Sequence, residues 1–170
     1  MMKKICLLSD THGYLDQGIL NHCQKADEIW HAGDIGSLEI SEKLSSIKPF
    51  KAVYGNIDGQ NIRTLHPMDQ LFECEGTRVL ITHIGGYPGA YVPEARKKIE
   101  EHKPGLFICG HSHILKVMAD QKNHLLHMNP GAAGKHGFHK IRTLLTFEIN
   151  NGKIGNLNAV ELGLRAKIED

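Results

Sequence analysis

Ile5-Cys6-Leu7-Leu8, followed at once by Ser9-Asp10-Thr11-His12, is the stretch whose reading decides the fold. A short apolar run of this kind predicts a buried strand, and the polar residues after it place a carboxylate and an imidazole at the strand exit. The same pattern recurs along the chain. Ile29 to His31 leads to Gly33-Asp34, and Val53-Tyr54 leads to Gly55-Asn56-Ile57-Asp58. Val79 to Thr82 leads to His83, and Phe107 to Cys109 leads to Gly110-His111-Ser112-His113. In open α/β sheets, ligands bind in the crevice beyond the carboxyl ends of the strands, so these five exits are expected to converge on one site.

Working outward, Tyr14 to Lys25 and Leu38 to Ile47 carry apolar residues at helical spacing, and Glu28 to His31 and Phe50 to Tyr54 read as strands. Alternation of strands and helices predicts a mostly parallel sheet in the first half. From Gln70 the rhythm changes. Leu71 to Cys74 and Arg78 to Thr82 flank Glu75-Gly76 as a hairpin, and Glu94 to His102 is a helix opened by Pro93. Strands are expected at Leu106 to Cys109, Ile114 to Ala119, Leu125 to Met128 and Leu144 to Ile149. Asn151-Gly152 then turns the chain into a last strand near Leu157 to Glu161. The second half therefore reads as largely antiparallel, and the expected α/β architecture is two sheets, one from each half, face to face with helices outside.

Composition narrows the function classes. A length of 170 residues with no repeat or Pro- or Ser-rich linker reads as one domain spanning 1–170. Lys plus Arg (20) against Asp plus Glu (19) leaves a net charge of +1, which gives no global field to hold a nucleic acid polymer or an anionic membrane. No apolar run approaches the ~18 residues of a membrane span. Ile5 to Leu8 is too short for the core of a signal peptide. Cys6, Cys23, Cys74 and Cys109 are scattered without a Cys-x-x-Cys pair, which fits reduced thiols and a cytoplasmic location. Twelve His among 170 residues stand out, because imidazole is the commonest metal ligand.

Single motifs are weak, but Gly-His-x-His is expected by chance only roughly 0.09 times in this composition, and Gly-Asn-x-Asp roughly 0.05 times. The series Asp-x-His, Gly-Asp, Gly-Asn, His and Gly-His-x-His resembles the calcineurin-like metallophosphoesterase superfamily. The short length and Asn129-Pro130-Gly131 resemble its small YfcE-type phosphodiesterase branch. The resemblance covers residues of about 3 to 160. It implies a four-layer α/β/β/α sandwich of two mixed sheets. It also implies that Asp10, His12, Asp34 and His113 hold one metal, and that Asp34, Asn56, His83 and His111 hold the other.

The residue types suit that chemistry. Asp34 counted twice gives four protein donors per metal, leaving room for a bridging hydroxide and a substrate oxygen. Two metals ~3.5 to 4 Å apart form the clamp of an in-line displacement at phosphorus. Imidazole and carboxylate donors without thiolate favour two divalent ions from among Mn, Fe, Zn, Co and Ni without ranking them, and the resemblance implies Mn first. The expected activity is hydrolysis of small phosphodiesters by attack of that hydroxide, with Asp34, Asn56 and Asp58 taking part in catalysis. The alternatives are a phosphomonoesterase, a nucleotide pyrophosphohydrolase, or a protein-binding scaffold on the same fold. The expected partner is a small phosphoester, and a homo-oligomer is compatible with the sequence.

The sequence departs from the superfamily in two places. Ile57 stands where many members carry a His directly after the Asn ligand, and His83 is followed by Ile84-Gly85-Gly86 rather than Gly-His. Asp58 then reads as a partner behind the ligands or as a weak proton donor. Simpler readings compete at several positions. Asp10 and Asp34 suit helix caps, and Asn129-Pro130-Gly131 suits a plain turn. His22, His66, His102, His124 and His127 have no motif context, and Gly134 to Lys140 reads as a solvated loop before a phosphate-binding one.

Overall fold

A computed structural model describes residues 1–166. In chain order it contains β1 (Lys3–Leu8), α1 (Gln17–Lys25), β2 (Glu28–His31), α2 (Leu38–Ile47), β3 (Phe50–Ala52), α3 (Gln60–Leu65), β4 (Asp69–Cys74) and β5 (Thr77–Thr82). There follow α4 (Pro93–His102), β6 (Leu106–Ile108), β7 (Leu115–Asp120), β8 (Leu125–Pro130), β9 (Ile141–Asn150) and β10 (Lys153–Leu164). Two five-stranded sheets form, in the orders β10-β9-β1-β2-β3 and β4-β5-β6-β8-β7.

Alternation along the strands builds the layers. Ile5, Leu7 and Trp30 of the first sheet meet Val79, Ile81, Leu106, Ile108 and Met128 of the second in the central core. The opposite faces carry the intervening residues. Cys6, Leu8 and Ile29 pack on Ile19, Cys23, Ile40, Leu44 and Ile62 from α1, α2 and α3. Leu80 and Phe107 pack on Ala95 and Ile99 from α4. The result is the four-layer α/β/β/α sandwich. Strands buried on both faces explain why these segments read as unbroken apolar runs.

The division of strands between sheets differs from the expectation of one sheet per half. The β9–β10 hairpin joins the first sheet, with β9 antiparallel to β1 in a register running from Lys3↔Ile149 to Leu7↔Leu145. This pairing covers an edge of β1, and it buries Leu145, Phe147 and Ile149 in the central core. The second sheet is mixed rather than largely antiparallel, since β5, β6 and β8 run parallel and β4 and β7 flank them antiparallel.

The two carboxylates that suit helix caps are not caps. α1 begins three residues later than the periodicity suggests, because Asp16 is its N-cap and its Oδ1 accepts from the Ile19 amide at 2.9 Å. Ser37 occupies the cap position of α2. Asp10 and Asp34 are thereby left for other work.

Candidate metal centre

All seven expected ligands stand in the loops just past β1, β2, β3, β5 and β6. Two triads gather there, Asp10 with His12 and His113, and Asp34 with His83 and His111, each with its ligand atoms within 4.8 Å of one another. Asn56 joins the second, its Oδ1 lying 3.0 Å from both His83 Nε2 and His111 Nδ1. Asp34 connects the two groups. Its Oδ2 is 3.4 Å from His12 Nε2 on one side and 3.3 Å from His83 Nε2 on the other.

Each carboxylate is anchored through one oxygen and offers the other. Asp10 Oδ2 accepts from Ser9 Oγ at 2.5 Å and from the His111 amide at 3.1 Å, while Oδ1 lies 3.1 Å from His113 Nε2. Asp34 Oδ1 accepts from the Ile57 amide at 3.1 Å, leaving Oδ2 at the junction. His83 Nδ1 sits 2.7 Å from the Ala32 carbonyl, to which it donates, so its Nε2 lone pair faces the site. Asp10 Oδ1 and His12 Nε2 are buried and form no hydrogen bond among the described residues, although the imidazole nitrogens of His113 and His12 lie 3.1 and 3.7 Å from that oxygen. A buried carboxylate oxygen and a buried imidazole nitrogen without partners are what a bound cation satisfies, so the donor set fits divalent metal.

The electrostatics agree. Burial works to raise the Asp10 carboxyl, but contacts with His113 and His12 and the nearby His83 hold it well below the usual carboxylate range. Asp34 is likewise lowered, with His83 outweighing its burial. Burial lowers the His83 imidazole, but Asp34 and Asp10 raise it overall. His111 is lowered, first by burial and then by the charge of His83.

The loops that carry these residues hold one another. The Asp10 amide donates to Gly33 O, the His12 amide to Asp34 O and the Gly13 amide to Ile35 O, at 2.9 to 3.0 Å. His31, fully buried, accepts from the Gly33 amide through Nδ1 and donates through Nε2 to Thr11 Oγ1, which in turn donates to Ile35 O. Burial pushes its pKa down to about 4, consistent with a neutral ring in this chain of bonds. Gly55 lets the loop after β3 pass close to the junction, because a Cβ there would stand 2.0 Å from Asp34 Oδ1.

Asp58 lies outside the metal cluster. Its Oδ2 accepts from the amides of Ile35 and Gly55 and its Oδ1 from Gly36, at 2.8 to 3.1 Å, and it is 3 % exposed. Of the two roles expected for it, this geometry supplies the brace, because both oxygens are taken up by backbone donors. Asn129, expected equally as a plain turn, lies inside β8 next to its last residue and is also a brace. Its Nδ2 donates to Gly110 O and Ser112 Oγ at 3.0 and 3.1 Å, fixing the loop that carries His111 and His113.

The segment Gly134 to Lys140 is the expected solvated loop, with Lys135, His136, Phe138 and Lys140 exposed, and it also borders the site. His136, Phe138 and His139 line a cleft of about 510 Å³ together with His12, Asn56, Ile57, His111 and His113. The His136 ring lies 4.8 Å from that of His12, and His139 lies 5.2 Å from His113. Ile57 borders the same cleft, 47 % exposed. These loop histidines follow no strand exit, and only the density of His and Gly between 134 and 139 marked them in the sequence.

Comparison with known proteins agrees with this geometry. The family profile of the calcineurin-like phosphoesterase superfamily domain matches residues 2–152. A probable metallophosphoesterase of Methanothermobacter thermautotrophicus is 29% identical over 136 residues, covering 75% of this chain and 76% of that protein. Among solved structures, a novel archaeal phosphodiesterase superposes with a TM-score of 0.72 at 20% identity, over 93% of this chain and 99% of the other. A Vps29 mutant from Entamoeba histolytica superposes with a TM-score of 0.73 at 15% identity, over 93% and 98% of the two chains. At these identities the two structures speak for the fold.

Proposed function

The chain belongs to the calcineurin-like phosphoesterase superfamily, and on that premise we propose that it hydrolyses small phosphodiesters with two divalent ions held side by side. The observation that carries this reading is Asp34, whose Oδ2 lies within 3.4 Å of a ligand nitrogen from each triad. Asp10, His12, Asp34 and His113 would hold one ion, and Asp34, Asn56, His83 and His111 the other. The donors suit Mn, Fe, Zn, Co or Ni, and the family membership puts Mn first among them. Such a pair, when bound, supplies Lewis-acid polarisation of a phosphoryl oxygen and a lowered pKa for water.

The chain's own residues orient the substrate and hold the ligands. Asp34 and Asn56 fix the junction, and Asp58 acts through the loop it braces rather than on the reacting atoms. The open cleft admits a small ester without a covering domain. Ile57 brings no proton to the leaving group, so departure rests on the leaving group's own acidity. A net charge of +1 argues against a nucleic acid polymer as the partner.

The test is metal analysis of reconstituted, folded protein together with a panel of phosphodiesters, phosphomonoesters and pyrophosphates. About two first-row ions per chain and turnover of diesters are expected. Folded protein that binds none and turns over nothing would overturn the enzyme reading in favour of a binding scaffold.

A further inference from the structure

A second groove opens on the far side of the metal centre, between the Tyr54–Met68 segment and α4. It encloses about 470 Å³, and Asn56 and His83 form its inner wall, so it is continuous with the second triad. Tyr54, Met68, Ile84 and Val92 give it an apolar lining. Met68 is 55 % exposed and Ile84 43 %. Asn56 therefore stands where two clefts meet, one lined by His136 and Phe138 and the other by Tyr54 and Met68.

The cations of this second groove are already engaged. Arg63 Nε donates to Asp58 O at 2.7 Å and Nη2 to Asn56 O at 3.4 Å, while its guanidinium lies 4.6 Å from the Tyr54 ring centroid. Lys98 is paired with Asp69 at 2.7 Å. A lysine neutralised by a carboxylate and an arginine whose donors are partly taken by carbonyls make a poor seat for a second phosphate. A fixed guanidinium stacked on a tyrosine, bordered by apolar side chains, instead makes a platform for a flat ring. The volume falls within the range of small-molecule sites.

We infer that this groove is a specificity subsite that takes one ester arm of a phosphodiester, and that the arm is aromatic. This assignment rests on the phosphoesterase reading and deepens it. A diester has two arms on phosphorus, and two clefts meeting at Asn56 give each arm a separate place, which a monoester does not need.

The test holds the leaving group constant and varies the other arm, using methyl, phenyl and thymidine-5′ p-nitrophenyl phosphates with the metal-reconstituted protein. Burying about half of an aromatic ring is worth roughly tenfold or more in kcat/KM, so the phenyl ester should exceed the methyl ester by about that factor. Met68→Glu should lower the phenyl-to-methyl ratio about fivefold or more, and Met68→Leu should restore it. The thymidine ester separates a nucleobase-bearing arm from a simple aryl arm. Preference for either over methyl, lost in Met68→Glu, supports the subsite. As a readout apart from turnover, the Met68 methyl resonance, one of five methionines, should shift on adding phenyl phosphonate monophenyl ester while that of buried Met128 does not. Diester hydrolysis with a phenyl-to-methyl ratio near one, or a ratio unmoved by Met68→Glu, overturns the subsite and leaves the phosphoesterase reading standing. Absence of hydrolysis of every ester overturns the phosphoesterase reading itself.

Discussion

His127 ties packing in the second sheet to acid stability in a way that can be measured. Its ring is fully buried on β8, with centroids 5.8 Å from those of Tyr91 and Phe107. Neither ring nitrogen has a hydrogen-bond partner among the described residues. Burial first, and the Lys116 ammonium second, push its pKa down from 6.5 to about 4, with Asp120 acting in the opposite sense. The folded ring thus stays neutral while the unfolded chain takes up a proton as pH falls through 6.5. Between these values the unfolded state binds more protons, so this stabilisation is present above pH 6.5 and is lost progressively as pH falls towards 4. With those two values, the loss between about pH 7 and about pH 5 is about 2 kcal/mol. Replacement by phenylalanine keeps a flat ring between Tyr91 and Phe107 and removes the titration. Urea unfolding of chelator-treated protein, followed by circular dichroism at both pH values, should show His127→Phe losing about 2 kcal/mol less than the parent. His31 titrates in the same window but is present in both proteins, so it cancels in the difference. Equal pH dependence in the two proteins would refute this account of His127.

At the candidate site, Asp34→Asn removes the charge at the junction of the two triads. Metal content should fall below two per chain and diesterase activity by about 100-fold or more, while far-ultraviolet circular dichroism stays unchanged. Gly55→Ala, whose Cβ would stand 2.0 Å from Asp34 Oδ1, should lower stability by about 1–3 kcal/mol and weaken metal retention in the same preparation. Because Ile57 borders the cleft in place of a proton donor, a series of diesters of rising leaving-group pKa should show a steep fall in rate. Ile57→His should flatten that slope, general acids typically supplying ~10² to 10⁴-fold; a flat series in the parent, with chemistry rate-limiting, would show that another group already donates the proton.

The fold was legible where local pattern decides it. Glu28–His31 and Leu38–Ile47 fall at the expected bounds, the first as an unbroken buried run and the second from Ile40, Leu44 and Ile47 on one face. α3 was not expected, because six residues make fewer than two turns and only Ile62 of them is buried, too little for a periodic signal. The pairing of β1 with β9 joins Lys3 to Ile149. No local signal encodes a contact across that separation, which is why the hairpin reads as part of the second sheet. The candidate ligands were legible because each follows an apolar strand. Their supports were not: His31 ends β2 and reads as one more strand residue, and Ser9 and Asn129 reveal their roles only when Gly33 O and Gly110 O are brought beside them.

The backbone of the site carries the same lesson one level down. Asp10, His12, Asp34, His111 and His113 all lie in the left-handed region, with φ between 45° and 70°. That conformation is uncommon for residues with side chains, and a strained residue costs about 1–3 kcal/mol. Five such residues in adjoining loops persist because the loops are cross-bonded, Asp10 to Gly33, His12 to Asp34 and Gly13 to Ile35, and because Ser9, His31 and Asp58 bond the turns from behind. The glycines between them admit the close approach: a Cβ at Gly110 would stand 2.2 Å from Ser9 Oγ and 2.7 Å from Asp10 Oδ2. Strain of this kind turns the chain sharply at successive strand exits, so that side chains distant in sequence face one point. Stability given up in the loops thus holds the candidate donor atoms in place beforehand, so that binding of an ion at the proposed centre would not need to supply their ordering.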